Sequence, residues 1–241
     1  MGKNILFVVS GPSGVGKGTL LADMVRQDEG LTYSVSATTR NMRDGEAEGV
    51  NYYYKTPEEF ERLIKEGDVL EWDSYQGNKY GTLVSCLDKS LAGEKNIVLD
   101  ITVPGAVNVK RSYDGRAVSV FILPPSIEEL RDRLIERKRE NIGEIDRRIC
   151  FAIHNELSEY EKFDYVIIND DRKRSVDMLF AILRTELLKQ SIKAGDLSGQ
   201  ELNSSQKEDM KIADALKTAK HPGILEEKLH ISYFFNKYKV D

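Results

Sequence analysis

Ile5-Leu6-Phe7-Val8-Val9-Ser10-Gly11-Pro12-Ser13-Gly14-Val15-Gly16-Lys17-Gly18-Thr19 runs from an apolar stretch through a glycine-rich turn to a lysine. An unbroken run of large apolar side chains reads as a strand buried on both faces, the habit of a parallel sheet covered by helices. Gly11 and Gly16 frame four residues just before Lys17, and a helical pattern follows from Lys17 to Gln27. In that setting the turn is built for phosphate. Glycines let backbone N–H groups converge on the oxygens, the helix N-terminus adds a favourable dipole, and Lys17 supplies a point charge. The expected phosphate binder is Gly11, Pro12, Ser13, Gly14, Val15, Gly16 and Lys17, continuing into Gly18 and Thr19. A hydroxyl able to ligate magnesium is expected directly after the lysine, but Gly18 stands there and Thr19 comes one position late.

Three further apolar runs, Asn96–Ile101, Ala117–Leu123 and Tyr165–Asn169, repeat the strand signal. Helical patterns lie between and beyond them. One opens at Ser126, with Glu129 as its capping-box partner, and runs to Arg139; others span Ile145–Tyr160 and Ser175–Ile192. Strand and helix in alternation predict an α/β fold, a three-layer sandwich around a parallel sheet. From Tyr33 to Cys86 the rhythm breaks into short polar pieces, Tyr33–Thr39 and Asn51–Lys55. A helix capped by Thr56, with Pro57 in its first turn and Glu59 as box partner, follows. This stretch, about 33–90, reads as a small α+β insertion on a core of 1–32 and 91–190. Trp72 is expected to anchor its small core, with Tyr53 and Tyr54 packing its sheet. Gly195–Gly199 reads as a linker opening a C-terminal extension, 191–241. The extension has helical spacing, a His221-Pro222-Gly223 break, and an aromatic group at Tyr233, Phe234 and Phe235 expected to dock on the main domain or a partner chain.

Net charge is −5, with both signs interspersed, so no global attraction for nucleic acid or an anionic membrane is expected. Cys86 and Cys150 stand far apart in no metal or redox spacing. The apolar run at the N-terminus is too short for a signal peptide or a spanning helix, and a cytoplasmic protein is expected.

The insertion carries the discriminating chemistry. Arg40, Arg43, Tyr52 and Tyr80 suit a phosphate monoester, since guanidinium forks grip it bidentately and phenol hydroxyls donate to the remaining oxygens. Glu71 is a doubly accepting carboxylate that matches the N1–H and N2–H₂ edge of guanine, and adenine lacks that paired donor edge.

Ser36-Ala37-Thr38-Thr39-Arg40, Arg43, Gly45-Glu46, Tyr52, Glu71-Trp72 and Gly77–Thr82, in this order behind the glycine loop, resemble the guanylate kinases. The likeness runs to about Leu188 and includes Arg133, Arg137 and Arg148 at the spacing of that family's lid, about 133–148, and Val166–Asp171 beside the adenine. The resemblance implies ATP and GMP (and dGMP) as substrates and magnesium as the cofactor. It implies Lys17, Arg40, Arg133, Arg137 and Arg148 as catalytic residues, and Asn169 with the glycine loop as the ATP site. Ser36, Arg40, Arg43, Tyr52, Glu71, Tyr80 and Thr82 would hold GMP, and Asp100 would sit near the magnesium. A monomer or homodimer is expected. Phosphoryl transfer depends on positioning and charge neutralisation, which suits a site rich in arginine with no nucleophile.

Gly18-Thr19 is a form that several nucleoside-monophosphate kinases share, but the chain departs from the family pattern in three other places. Thr102 replaces an acidic residue two positions after Asp100, Pro104 replaces a glutamine, and Lys79 replaces a tyrosine beside Tyr80. Two other readings bear on function. A kinase for a sugar phosphate on the same scaffold would need no guanine edge, so Glu71 and Thr82 speak against it while Thr102 leaves room for it. A non-catalytic binding module would dispense with Lys17, Arg133, Arg137 and Arg148, all present here.

Overall fold

A computed structural model describes residues 4–75, 77–136, 142–197, 201–218 and 229. The chain begins with β1 (Leu6–Ser10), α1 (Lys17–Gln27) and β2 (Leu31–Tyr33). The next segment holds β3 (Ala37–Thr38), β4 (Tyr53–Tyr54), α2 (Pro57–Glu66), β5 (Val69–Tyr75), β6 (Asn78–Leu83) and α3 (Val84–Leu91). Then come β7 (Asn96–Asp100), α4 (Val103–Ser112), β8 (Ala117–Leu123), α5 (Ile127–Glu136) and α6 (Ile142–Phe151). A π-helical turn, Ala152–Glu156, and a 3₁₀ segment, Leu157–Lys162, lead to β9 (Tyr165–Ile168), α7 (Arg172–Lys193) and α8 (Ser204–Thr218).

Five strands form one parallel sheet in the order β2-β7-β1-β8-β9. β1 lies at its centre and every one of its residues is buried, as its unbroken apolar run predicts. Burying each large side chain stabilises the fold by roughly 1.5–3 kcal/mol. The register sets Val9 beside Asp100, so the end of β7 lies beside the start of the glycine turn. Four of the sheet's five strands, β1, β7, β8 and β9, lie within a residue of the predicted runs, and α1 spans the predicted residues.

The predicted strand Tyr33–Thr39 is in fact two. Tyr33 ends β2 in the main sheet, while Ala37 and Thr38 belong to a second, four-stranded sheet of order β4-β3-β6-β5. Its long members, β5 and β6, form an antiparallel hairpin that the polar sequence does not announce. Helix α2 closes one face, with the expected capping box between Thr56 and Glu59. The anchor of the small core is Phe60, fully buried with Ala37 and Leu83, and not Trp72. Trp72 is 44% exposed, and Lys79 Nζ sits 4.5 Å over its ring. Phe60 reaches Gly81 from α2, its Cζ 3.1 Å from where a Cβ on Gly81 would lie.

Two helix predictions change in detail. Ser126 Oγ accepts the Glu129 N–H at 3.1 Å, but the Glu129 carboxylate turns to Arg133 instead of closing the box. The predicted Ile145–Tyr160 helix first underwinds, through the π turn, and then overwinds, through the 3₁₀ segment. The sequence reading does not assign α3 or α4.

Beyond the linker, the helical spacing materialises as α8, which packs along α7 and β9. Asn203 and Gln206 cap it reciprocally, each backbone N–H donating 2.9 Å to the other's side-chain oxygen. Asp209 is buried and accepts a bidentate pair from Arg184 at 2.7 and 2.9 Å, and Ala213 is fully buried. His221-Pro222-Gly223 and the aromatic group at 233–235 lie outside the described residues. Among the described residues no helix is long and apolar enough to cross a membrane. Cys86 and Cys150 form no disulfide.

Asp209→Ala should loosen α8. Half-exposed Arg184 can recover water, so the loss should be about 1 kcal/mol, a fall of about 2–4 °C in a thermal melt. An unchanged melting temperature would show that the pair does not hold this helix.

Candidate active site

The glycine turn is shaped by contact as much as by sequence. Gly11 adopts φ +144°, and a Cβ there would meet the Ile122 carbonyl oxygen at 2.4 Å, so the loop crosses directly against the end of β8. Gly14 and Gly16 also have positive φ, and Gly16 caps α1. Lys17 Nζ donates to the Gly11 carbonyl at 2.6 Å and approaches that of Pro12 at 3.3 Å, which holds the ammonium over the loop. Asn169, at the end of β9, donates to the Val15 carbonyl at 2.8 Å. Thr19 is exposed in the first turn of the helix.

Two of the three predicted arginines converge here. Arg133 on α5 donates to the carbonyls of Val15 (3.2 Å) and Asn169 (3.0 Å) and also to Glu129 (3.0 Å). Arg148 on α6 donates to Ser13 Oγ. Arg137 lies outside the described residues. A cavity of about 550 Å³ opens beside the loop, lined by Gly16, Thr19, Arg133, Asn169 and Arg172 among others. That volume suits a small-molecule ligand of nucleoside size.

Asp100 ends β7 at the same cleft. Solvent reaches its side chain, which accepts no hydrogen bond among the described residues. The protein packed around the cleft floor pushes its carboxyl up, and Lys17 draws it part of the way back. A Cβ on Gly18 would lie 3.6 Å from Asp100 Oδ2, so residue 18 directly faces this carboxylate. An unpartnered carboxylate beside a lysine-bearing phosphate loop is a fitting donor for a divalent cation. Glu156 is a further acid that sequence reasoning missed. The π turn brings it toward Lys17, Arg148 and the Ser13 backbone N–H, while burial pushes its carboxyl up. Only a break in helical periodicity could have signalled it, and such breaks are frequent at functional sites.

A second cluster sits on the small sheet. Glu46 grips Arg40 bidentately, at 2.8 and 2.9 Å, and accepts the Tyr54 hydroxyl at 2.8 Å. Arg40 holds the Glu46 carboxyl down to about 2. The guanidinium lies 5.4 Å from the Tyr52 ring centroid, and Tyr52 meets Tyr80 edge-on at 5.8 Å. Arg40, Tyr52 and Tyr80 therefore lie together. Arg43 is exposed beside them, with its backbone N–H on Glu46. Tyr54 belongs to this cluster and not only to sheet packing, and Glu46, for which no role was expected, orients the cluster.

The third cluster is buried. Glu71, 8% exposed, accepts the Thr82 hydroxyl at 2.8 Å on Oε1 and the Thr102 hydroxyl at 3.3 Å on Oε2. Burial pushes its carboxyl up, and the two threonines pull it back. Thr102 also caps α4, accepting the Gly105 N–H at 3.3 Å. Ser36 is half-buried ahead of β3, and no hydrogen bond joins its hydroxyl to Glu71 or Thr82.

A glycine-and-lysine loop between a buried parallel strand and a helix, with arginines closing from two further helices, defines a P-loop kinase core. A family model described as guanylate kinase matches residues 3–186. A guanylate kinase of Oceanobacillus iheyensis is 42% identical over 187 residues, covering 78% of this chain and 90% of its own. One from Clostridium perfringens is 43% identical over 185 residues, covering 76% and 84%. The crystal structure of guanylate kinase from Anaplasma phagocytophilum superposes with a TM-score of 0.59 at 35% identity, covering 77% of this chain and 87% of that one. The chain belongs to the guanylate kinase family, and it is an enzyme of the phosphotransferase class.

Gly105 tests how tightly the buried cluster is held. In an open helix Gly→Ala adds up to about 1 kcal/mol. Here the new Cβ would lie 2.5 Å from Glu71 Cγ and 2.8 Å from Oε2. Gly105→Ala should therefore lower the melting temperature, and a rise would show that Glu71 swings away freely.

Proposed function

We propose that the chain transfers the γ-phosphoryl group of ATP to the phosphate of GMP, and of dGMP, yielding ADP and GDP or dGDP. The observation that carries this reading is Glu71. A buried carboxylate whose two oxygens are oriented by threonine hydroxyls keeps lone pairs for two neighbouring N–H donors, and the N1–H and N2–H₂ edge of guanine supplies them. A sugar phosphate offers no such edge. The Arg40, Tyr52 and Tyr80 cluster, with Arg43 at its rim, would take the phosphate of GMP. Glu46 preorganises Arg40, so little side-chain freedom is lost on binding.

On the donor side, the loop amides and Lys17 would hold the ATP phosphates, with Asn169 and the adjoining cavity for the nucleoside. An oxygen of the GMP phosphate attacks the γ-phosphorus as the bond to the β-phosphate oxygen breaks. Arg133, Arg148 and, outside the described residues, Arg137 would neutralise the charge spread over the transferring group. Asp100 would hold magnesium through one carboxylate, partly by way of water. The ion would supply charge neutralisation between the β- and γ-phosphates. With Gly18 contributing no hydroxyl, its coordination would rest on Asp100, the nucleotide and water. The small sheet and the α5–α6 region would act as an acceptor domain and a lid that close to exclude water. No nucleic acid or membrane partner enters this reading.

Lys17→Ala should lower kcat by about a hundredfold or more with an unchanged melting temperature. Equal turnover in a coupled ADP assay would remove the loop from the chemistry.

Glu71→Gln should raise the GMP KM by about tenfold to a hundredfold, because its amide N–H₂ faces guanine donors. The raised carboxyl sets a pH dependence. Guanine needs the ionised form, so KM for GMP should rise as pH falls through a value above the ordinary glutamate figure of about 4.3. Stability of the free protein runs the other way: what Glu71 contributes is present at low pH and is lost as pH rises through the same value. Glu71→Gln should abolish the acid limb in KM. A wild type that phosphorylates ribose phosphates but not GMP would overturn the acceptor assignment.

A further inference from the structure

Thr102 does two jobs with one hydroxyl. Its proton goes to Glu71 Oε2 at 3.3 Å, and one of its lone pairs takes the Gly105 N–H at 3.3 Å. A hydroxyl has one donor and two acceptor sites, so a single neutral lone pair remains. The carboxylate beside it is in the opposite position. Glu71 Oε1 is satisfied by Thr82 and Oε2 by Thr102 before any ligand arrives. The cost of losing a ligand's hydrogen bond depends on what is left behind. A buried acceptor that stays paired loses little, whereas one left orphaned is heavily penalised.

We propose that Thr102 is a specificity-determining residue that relaxes the demand for the exocyclic 2-amino group of the purine. IMP, a 6-oxopurine nucleotide with N1–H and no 2-amino group, is then a second acceptor for this enzyme. The inference rests on the guanine reading of Glu71 given above. With IMP, N1–H still meets the carboxylate, and Oε2 keeps the Thr102 hydroxyl in place of the missing amine. AMP stays excluded, because adenine presents an acceptor at N1 to a carboxylate that can only accept.

The test compares kcat/KM for GMP and IMP within each variant, so that damage to the α4 cap, which affects both substrates, cancels. For the wild type the preference for GMP should be about tenfold to a hundredfold, carried by KM and not by kcat. Where loss of a ligand group strands a buried partner, discrimination reaches 10⁴ or more. Thr102→Val keeps the shape but removes the proton on Oε2. GMP then resupplies a donor through its amine and IMP does not, so the preference should grow at least tenfold. Thr102→Ser should restore the wild-type ratio. A wild-type preference above about 10⁴, or a ratio that Thr102→Val leaves unchanged, would overturn the proposal while leaving GMP turnover intact. Absence of GMP turnover in the wild type would instead bring down the guanine reading and this inference with it.

Discussion

The contact between Gly11 and the carbonyl of Ile122 governs the geometry of the site. A strand buried on both faces cannot carry polar groups along its length, so the chemistry has to begin where β1 ends. There the backbone passes so close to β8 that no side chain fits. The turn is thereby held against the sheet, and Val15 is drawn into the core beneath it. The Val15 carbonyl then takes both Asn169 and Arg133, which ties β9 and α5 to the same loop. One close approach thus fixes the loop on which Asn169 and Arg133, from two further segments, converge.

A second constraint joins the two halves of the site. Asp100 and Thr102 are two residues apart, at the end of β7 and the start of α4. Asp100 faces Lys17 and Gly18, and Thr102 reaches across to Glu71 on β5. Helix α4 also packs on β5, and Asn108 reaches the Leu70 carbonyl at 3.4 Å. The base-side carboxylate is therefore referenced to the phosphate side through three residues of backbone, short enough to transmit position with little slack.

The acids of the site are placed in contrasting environments. Glu46 is held ionised by Arg40 at the rim, while Glu71, Asp100 and Glu156 are pushed toward their neutral forms by surrounding protein. The first is a structural brace. In the other three, neighbouring hydroxyls or cations offset only part of the cost of burial, and a cation or a donor edge would relieve the rest. Strongly perturbed carboxyls in a cleft are where ligand chemistry concentrates.

The sequence by itself determined the parallel sheet, the glycine-and-lysine loop, the helix that follows it and the residue types of the two clusters proposed to take phosphate. Those features are written in local patterns: unbroken apolar runs, glycine spacing, capping pairs and clustered arginines and tyrosines. Only the tertiary structure decided that Phe60 and not Trp72 fills the small core, and that Tyr33 and Ala37 belong to different sheets. It alone decided that Glu46 locks Arg40, that a π turn delivers Glu156, and that α8 docks on α7. It also showed that Thr102, a departure when read along the chain, is a donor to Glu71. Each of these depends on which side chain first occupies a shared space, or on a partner 31 residues away, as Glu71 is from Thr102. Periodicity reports which face of an element is buried, but not what lies against it.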